Sequence, residues 1–252
     1  MARKTRSRKP TNRMPKCVAV IPIYNEGPTV LGVLTEVAHR VDRLIAVDDG
    51  STDDTPVLLK RWAKGRKGVT IFRLPKNVGM AGAIKRGYLE AEKLLKKGII
   101  KPNDIIINID ADGQHRPENI SNLVSYMVDG GWDVVLTRRD FTQYPLYKKF
   151  GNWGLSVVAS ILSGFPYRDV ESGFRLVRAK AVPVIMDYFM GLRYSCAQEI
   201  ALITAMKGFR VNNSYMVKIA YYRPGTNALD GPIVLWMSIL TWLRIKFGKK
   251  VR

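Results

Sequence analysis

With 252 residues, 46% of them hydrophobic and 10% aromatic, the chain can bury the core of one large α/β domain or two small ones. Two cysteines, Cys17 and Cys196, exclude a disulfide framework and a thiolate metal site, and suit small buried positions in a reducing compartment. The formal net charge of +20 is concentrated at the ends: seven basic residues and no acid in 1–16, and five basic residues in the last nine. Such tails suit polyanions, nucleic acid or anionic lipid, and a solvated, disordered tail is the equal alternative for 1–14. No motif interleaves the basic residues with exposed aromatics, so a specific nucleic-acid partner is not expected. The basic start runs into Pro10 and Asn12 rather than an apolar segment, which is not the pattern of a signal peptide.

A β-branched run at 17–23 reads as a strand, ending at Pro22-Ile23-Tyr24-Asn25-Glu26-Gly27. Pro28 opens a helix to about 39, where a first helical turn tolerates proline. A second strand, 43–47, stops at Asp48-Asp49-Gly50-Ser51-Thr52-Asp53, followed by a helix to about 64. A third strand, 69–74, leads through Asn77-Val78-Gly79 into a helix over 80–97. The fourth, 104–109, is nearly all isoleucine, the composition of a strand covered on both faces. A helix over 117–127 and a fifth strand at 133–137 complete a regular alternation. It predicts a parallel, doubly wound sheet, whose ligands bind beyond the carboxyl ends of the strands.

The fourth strand stops at Asp110-Ala111-Asp112-Gly113-Gln114-His115. In extended chain, residues i and i+2 share a side, so Asp110 and Asp112 converge on one point and Gln114 adds a third oxygen. Two carboxylates held together repel unless a cation lies between them, and hard oxygens suit Mg²⁺ or Mn²⁺. A turn with a helix cap is the alternative use of the same residues.

Beyond 138 the rhythm changes. A helix is expected over 145–163, then Asp169-Val170-Glu171-Ser172-Gly173-Phe174-Arg175 before a strand-like pair at 176–177. A helix at 195–207 carries Glu199, one or two strands fall within 208–222, and a last helix covers 231–247. Its stretch 231–243 is uncharged but only thirteen residues long, too short for the roughly 20 that span a bilayer. Apolar side chains go round the full circumference. The helix is therefore packed in protein or lies in the lipid interface, anchored by Trp236, Trp242 and the basic residues that follow.

Taken together and in order, Val20-Ile21-Pro22-Ile23-Tyr24-Asn25-Glu26, Val47-Asp48-Asp49-Gly50-Ser51, Asn77-Val78-Gly79, Asp110-Ala111-Asp112-Gly113-Gln114-His115-Arg116-Pro117-Glu118, Ser172-Gly173-Phe174-Arg175 and Tyr222-Arg223 resemble the family-2 glycosyltransferases of the GT-A fold. Within that family the resemblance is to polyprenyl-phosphate sugar synthases of the dolichol-phosphate mannose synthase type. It implies a Rossmann-like GT-A domain at 17–227, between a basic tail at 1–16 and an amphipathic, interfacial helix with its basic tail at 228–252. It also implies an inverting, metal-dependent transfer of mannose or glucose from GDP-mannose or UDP-glucose to a polyprenyl phosphate. The setting would be the cytoplasmic face of a membrane with an anionic surface, with a small membrane subunit as a further partner.

The donor would contact Pro22, Tyr24, Glu26, Asp48, Asp49, Gly79, Asp110, Ala111 and Arg223, with Asp48 and Asp49 reading the base or, alternatively, capping the helix that follows. Ala81 and Gly82 would allow the donor close approach, or serve helix packing. Asp110, Asp112 and Gln114 would hold Mg²⁺ or Mn²⁺, and Asp112, Arg138 and Arg175 would be catalytic. A phosphate acceptor is already anionic and needs positive charge rather than a base. Arg138 and the Lys148/Lys149 pair are placed to supply it, with Asn152 where the family has serine. The family's lysine after Tyr-Arg is missing at Gly225-Thr226-Asn227-Ala228. The alternative is a glycan hydroxyl acceptor, with Asp169, Glu171 or Glu199 as base.

Overall fold

A computed structural model describes residues 13–142, 144–219 and 230–251. Its first half follows the expected alternation: β1 (Cys17–Ile23), α1 (Thr29–Ala38), β2 (Arg43–Asp48), α2 (Thr55–Ala63), β3 (Val69–Arg73), α3 (Met80–Lys96), β4 (Ile105–Asn108), α4 (Asn119–Asp129) and β5 (Val134–Leu136). β1 pairs in parallel with β2 and β4, and β2 with β3. Ile23 stands opposite Asp48, so β1 and β2 end level and deliver their loops to one edge. Alternation divides the strands between two cores: Val18 and Val20 face α3 and the later helices, while Ala19 and Ile21 face α1 and α4.

The sheet is not wholly parallel. β4 and β5 are separated by β7 (Arg175–Arg178), which runs antiparallel to both, giving, with the edge strand β8 (Val211–Asn212), the order β3-β2-β1-β4-β7-β5-β8. Arg175 thereby stands opposite both Asn108 and Leu136, so the 169–175 segment is delivered beside the ends of β4 and β5. Strand β8 is parallel to β5. A separate two-stranded ribbon joins β6 (Arg138–Arg139) to β9 (Met216–Val217). A 3₁₀ turn (Ala179–Ala181) and α6 (Val182–Tyr188) follow β7, where the sequence signals no helix.

The remaining helices, α5 (Leu146–Ser163), α7 (Cys196–Met206) and α8 (Asp230–Lys246), pack against one another on the α3 side. α7 is covered along almost its whole length. α8 turns Val234, Met237, Ser238, Thr241 and Ile245 inward, with the Ser238 hydroxyl bonded to Gln198. Ile233 and Trp236 remain exposed on its other side. Packing and an apolar outer face, opposed alternatives in the sequence, thus coexist on one helix. Among the described residues no helix is long and apolar enough to cross a membrane.

Candidate active site

The loops at the strand ends are stitched together before any ligand is considered. Asn25 donates its backbone N–H to the Ser51 hydroxyl (3.0 Å), and its side-chain oxygen accepts from Thr52 N–H (2.9 Å). Asp49 accepts the N–H groups of Val78 (2.9 Å) and Gly79 (2.8 Å), tying β2 to the loop before α3. Burial pushes the Asp49 carboxyl up against the opposing pull of those two bonds. Asp48 accepts from Ser51 N–H (2.9 Å) and lies 3.4 Å from Arg73 Nε. Of the acid pair, Asp49 lines the main pocket and Asp48 does not. Neither caps α2.

Gly79 has φ 88°, and a Cβ there would come within 3.0 Å of the Arg193 backbone. Ala81 N–H donates to Arg193 O at 2.8 Å, and a side chain at Gly82 would collide with Val78. These small residues let α3 close against the 191–193 loop. Ala81 and Gly82 thus fulfil the helix-packing alternative, while Gly79 also reaches the pocket wall.

Asp110, Ala111, Asp112, Gln114 and His115 share that wall. Asp112 accepts from Gln114 N–H (2.9 Å), which fixes the turn. The Asp110 carboxylate packs against Gly173, where any Cβ would overlap it. Burial works to raise the Asp110 pKa, but the His115 hydrogen bond and the charges of His115, Arg175 and Arg139 outweigh it and leave it low. Asp110 is thus held as a carboxylate. Among the described residues no group of three His, Cys, Asp or Glu side chains gathers for a metal. What the wall offers is two carboxylates and one amide oxygen, a hard set that suits Mg²⁺ or Mn²⁺ with ligand phosphates completing the shell.

Opposite lies a cluster of cations. Arg139 forms a fork with Asp169 (Nε–Oδ2 2.9 Å, Nη2–Oδ1 2.9 Å) and donates to Asn152 Oδ1 at 3.0 Å. Arg175 is almost completely buried, donates Nε–H to Ser172 O (2.7 Å), and leaves Nη1 without a partner among the described residues. Glu171, half-buried, has its carboxyl pushed up to about 7 by burial and by Asp169, against the pull of Arg139 and Arg175. Lys148 and Asn152 also line this pocket.

Arg138 lines a neighbouring recess instead, with Nη2 3.5 Å from Met216 Sδ. Sequence reasoning passed over Arg139, because adjacent residues of an extended segment face opposite ways and only the register tells which of two arginines faces inward. Of the three carboxylates considered as bases, Glu171 lines the pocket. Asp169 is taken up by Arg139, and Glu199 accepts from Met190 N–H (2.6 Å), Gly191 N–H and the Ser195 hydroxyl. Tyr222 and Arg223 lie outside the described residues, as does the segment 225–228.

The pocket measures about 1010 Å³. By sheet order it runs from the β1, β2 and β3 loops, past Asp110 and Asp112, to Arg139 and Arg175. It ends between α5 and α8 at Leu155, Val158, Val234 and Leu235. An acidic turn in mid-sheet, with a polar cleft on one side and cations on the other, is the arrangement of a GT-A sugar transferase. The glycosyl transferase family 2 profile matches residues 18–200, and the chain belongs to that family.

It is similar to the UDP-N-acetylglucosamine–dolichyl-phosphate N-acetylglucosaminyltransferase of Methanococcus voltae, 29% identical over 91% of this chain and 96% of that one. It is also similar to the undecaprenyl-phosphate mannosyltransferase of Micrococcus luteus, 26% identical over 78% and 80%. Among solved structures, the glucosyl-3-phosphoglycerate synthase of Mycobacterium tuberculosis in complex with Mn²⁺, uridine diphosphate and phosphoglyceric acid shares the fold. Its TM-score is 0.66 at 16% identity, over 92% of this chain and 78% of that one.

Proposed function

We propose that the protein transfers a sugar from a nucleotide-diphosphate donor to a polyprenyl phosphate, with inversion, at a membrane surface. The observation that carries this is the continuity of the pocket: its cations pass directly into an apolar cleft between α5 and α8. A phosphate joined to a hydrocarbon chain needs that sequence of surfaces, whereas a glycan would need polar walls. The two relatives named for polyprenyl-phosphate transfer support the same acceptor.

In this reading Glu26, Asp49 and Gly79 border the nucleoside, and the diphosphate lies against Asp110, Asp112 and Gln114. A divalent cation held by that oxygen set, as Mn²⁺ accompanies UDP in the synthase of similar fold, would neutralise charge on the leaving diphosphate. Arg139, oriented by Asp169, and Lys148 hold the acceptor phosphate. The cation facing the acceptor is thus Arg139 rather than Arg138. Arg175 lends fixed positive charge between Asp110 and Glu171. One acceptor oxygen attacks the anomeric carbon as the bond to the diphosphate breaks on the opposite face. No base is required, because the attacking oxygen carries no proton.

Labelled UDP-N-acetylglucosamine, GDP-mannose and UDP-glucose, each offered with polyprenyl phosphate and a divalent cation, test the reading. Label must enter the lipid phase with the phosphate and not with the corresponding free alcohol. Transfer to a water-soluble glycan with none to lipid would overturn it. A hydroxyl acceptor is the second reading, favoured by one observation: Glu171 lines the pocket with a pKa of about 7, suited to a base.

A further inference from the structure

The outer face of α5 carries Leu146, Phe150, Trp153, Val157 and Ile161, between 37% and 76% exposed. At 3.6 residues per turn these five fall within an arc of about 80° and span about 22 Å of helix. Ile233 and Trp236 of α8, which packs on α5, add to the exposed apolar surface. Apolar surface on that scale marks a place where something docks.

Beside the stripe lies the recess that holds Arg138, about 660 Å³, and Trp153 and Val157 belong to both. Its wall includes Arg138, Lys149 and Arg168 against one acid besides them, Asp140, which accepts the Thr142 N–H and is drawn by Lys218 and Arg138; the Arg139 charge is met by Asp169. Neither Lys149 nor Arg168 makes a side-chain ion pair among the described residues.

We propose that this face of α5 seats the protein on a bilayer rich in anionic phospholipid, and that the recess takes one lipid phosphate headgroup, beside the catalytic pocket, with which it shares Arg139 and Phe141. Apolar side chains would enter the acyl boundary, Trp153 would lie at headgroup depth, and the three cations would face the phosphates. A second copy of the chain fits less well. Two-fold pairing through this face would bring basic recesses together in a molecule already carrying +20. The proposal shares with the transferase reading only the membrane as its place, and it stands if the acceptor proves to be something else.

The test uses vesicles without polyprenyl phosphate or nucleotide sugar, so that catalysis plays no part. They are phosphatidylcholine alone, or with about one third phosphatidylglycerol. Cys17 and Cys196 are buried, with thiol pKa values pushed up to about 12 and about 11, so a dye on Ile161→Cys reports alone. Lys67→Cys, in the exposed turn before β3 at the far edge of the sheet, is the control. Anionic vesicles should shift the dye at 161 to the blue and leave the dye at 67 unchanged. Arg168→Ala, at an exposed position, should weaken partition about fivefold with an unchanged melting temperature. Trp153→Asp should abolish the shift at 161.

Vesicle binding through the basic tails, with the dye at 161 unmoved, would overturn the proposal. Release of the Arg168-dependent binding by inorganic phosphate at constant ionic strength would make the recess a soluble-phosphate site and refute the lipid assignment. A dimer in sedimentation that Trp153→Asp dissociates, with no vesicle effect, would make the face an interface between copies.

Discussion

Arg139→Ala should separate two arginines that are neighbours in sequence. Asp169 is fully buried, and Arg139 supplies both arms of its fork. Truncation leaves that carboxylate with the N–H groups of residue 139 (2.8 Å) and Glu171 (3.1 Å), and no countercharge of comparable geometry. Breaking a buried pair from one side costs about 3–5 kcal/mol. In a chain of this length 1 kcal/mol moves the melting temperature by about 2–4 °C, so a drop of roughly 6–20 °C is expected. Arg138→Ala, with its side chain against Met216 at the surface, should stay within about 0.5 kcal/mol of the parent. The Arg139→Ala/Asp169→Asn double variant removes the stranded charge and should recover much of the stability, while acceptor KM stays raised. Scanning calorimetry reads the first effect, and initial rates against acceptor concentration read the second. Equal melting temperatures for Arg139→Ala and the parent would refute the buried-pair argument. An acceptor KM that responds to Arg138→Ala but not to Arg139→Ala would return the acceptor to Arg138.

Asp112→Asn should keep the fold and reduce turnover at least about 100-fold, near 3 kcal/mol of transition-state stabilisation, and EDTA should abolish the parent's activity; full turnover in either case rules out the metal role. Gly173→Ala should push the Asp110 carboxylate from its seat and cost about 1–3 kcal/mol of stability, together with a loss of turnover; an unchanged melting curve shows that the clash is relieved elsewhere. Glu171 has a folded pKa of about 7, raised above 4.5, so the folded state holds its proton longer than the unfolded chain. Its contribution to stability is full below about pH 4.5 and is lost as pH rises through about 7, a decline of up to about 3 kcal/mol. In EDTA, Glu171→Gln should flatten that decline; parallel stability–pH curves for variant and parent would remove the shift.

The sequence alone determined the strand–helix alternation through β5, because each element there is written in local pattern: β-branched runs, Pro28 at the start of α1, the Asp- and Ser-rich turn before α2, and the isoleucines of β4. It also placed the acidic turn, since carboxylates at a strand end stand out whatever surrounds them. Tertiary structure decided what depends on pairing between distant segments. That β7 inserts between β4 and β5 follows from competition among strands some 30–70 residues apart, which leaves no local trace. From that insertion come the seat of Asp110 against Gly173, the burial of Arg175, and the pairing of Arg139 with Asp169. α8 shows the same division. Its uncharged stretch was plain in the sequence, but which side meets α5 and α7, and which stays exposed, was fixed only by packing.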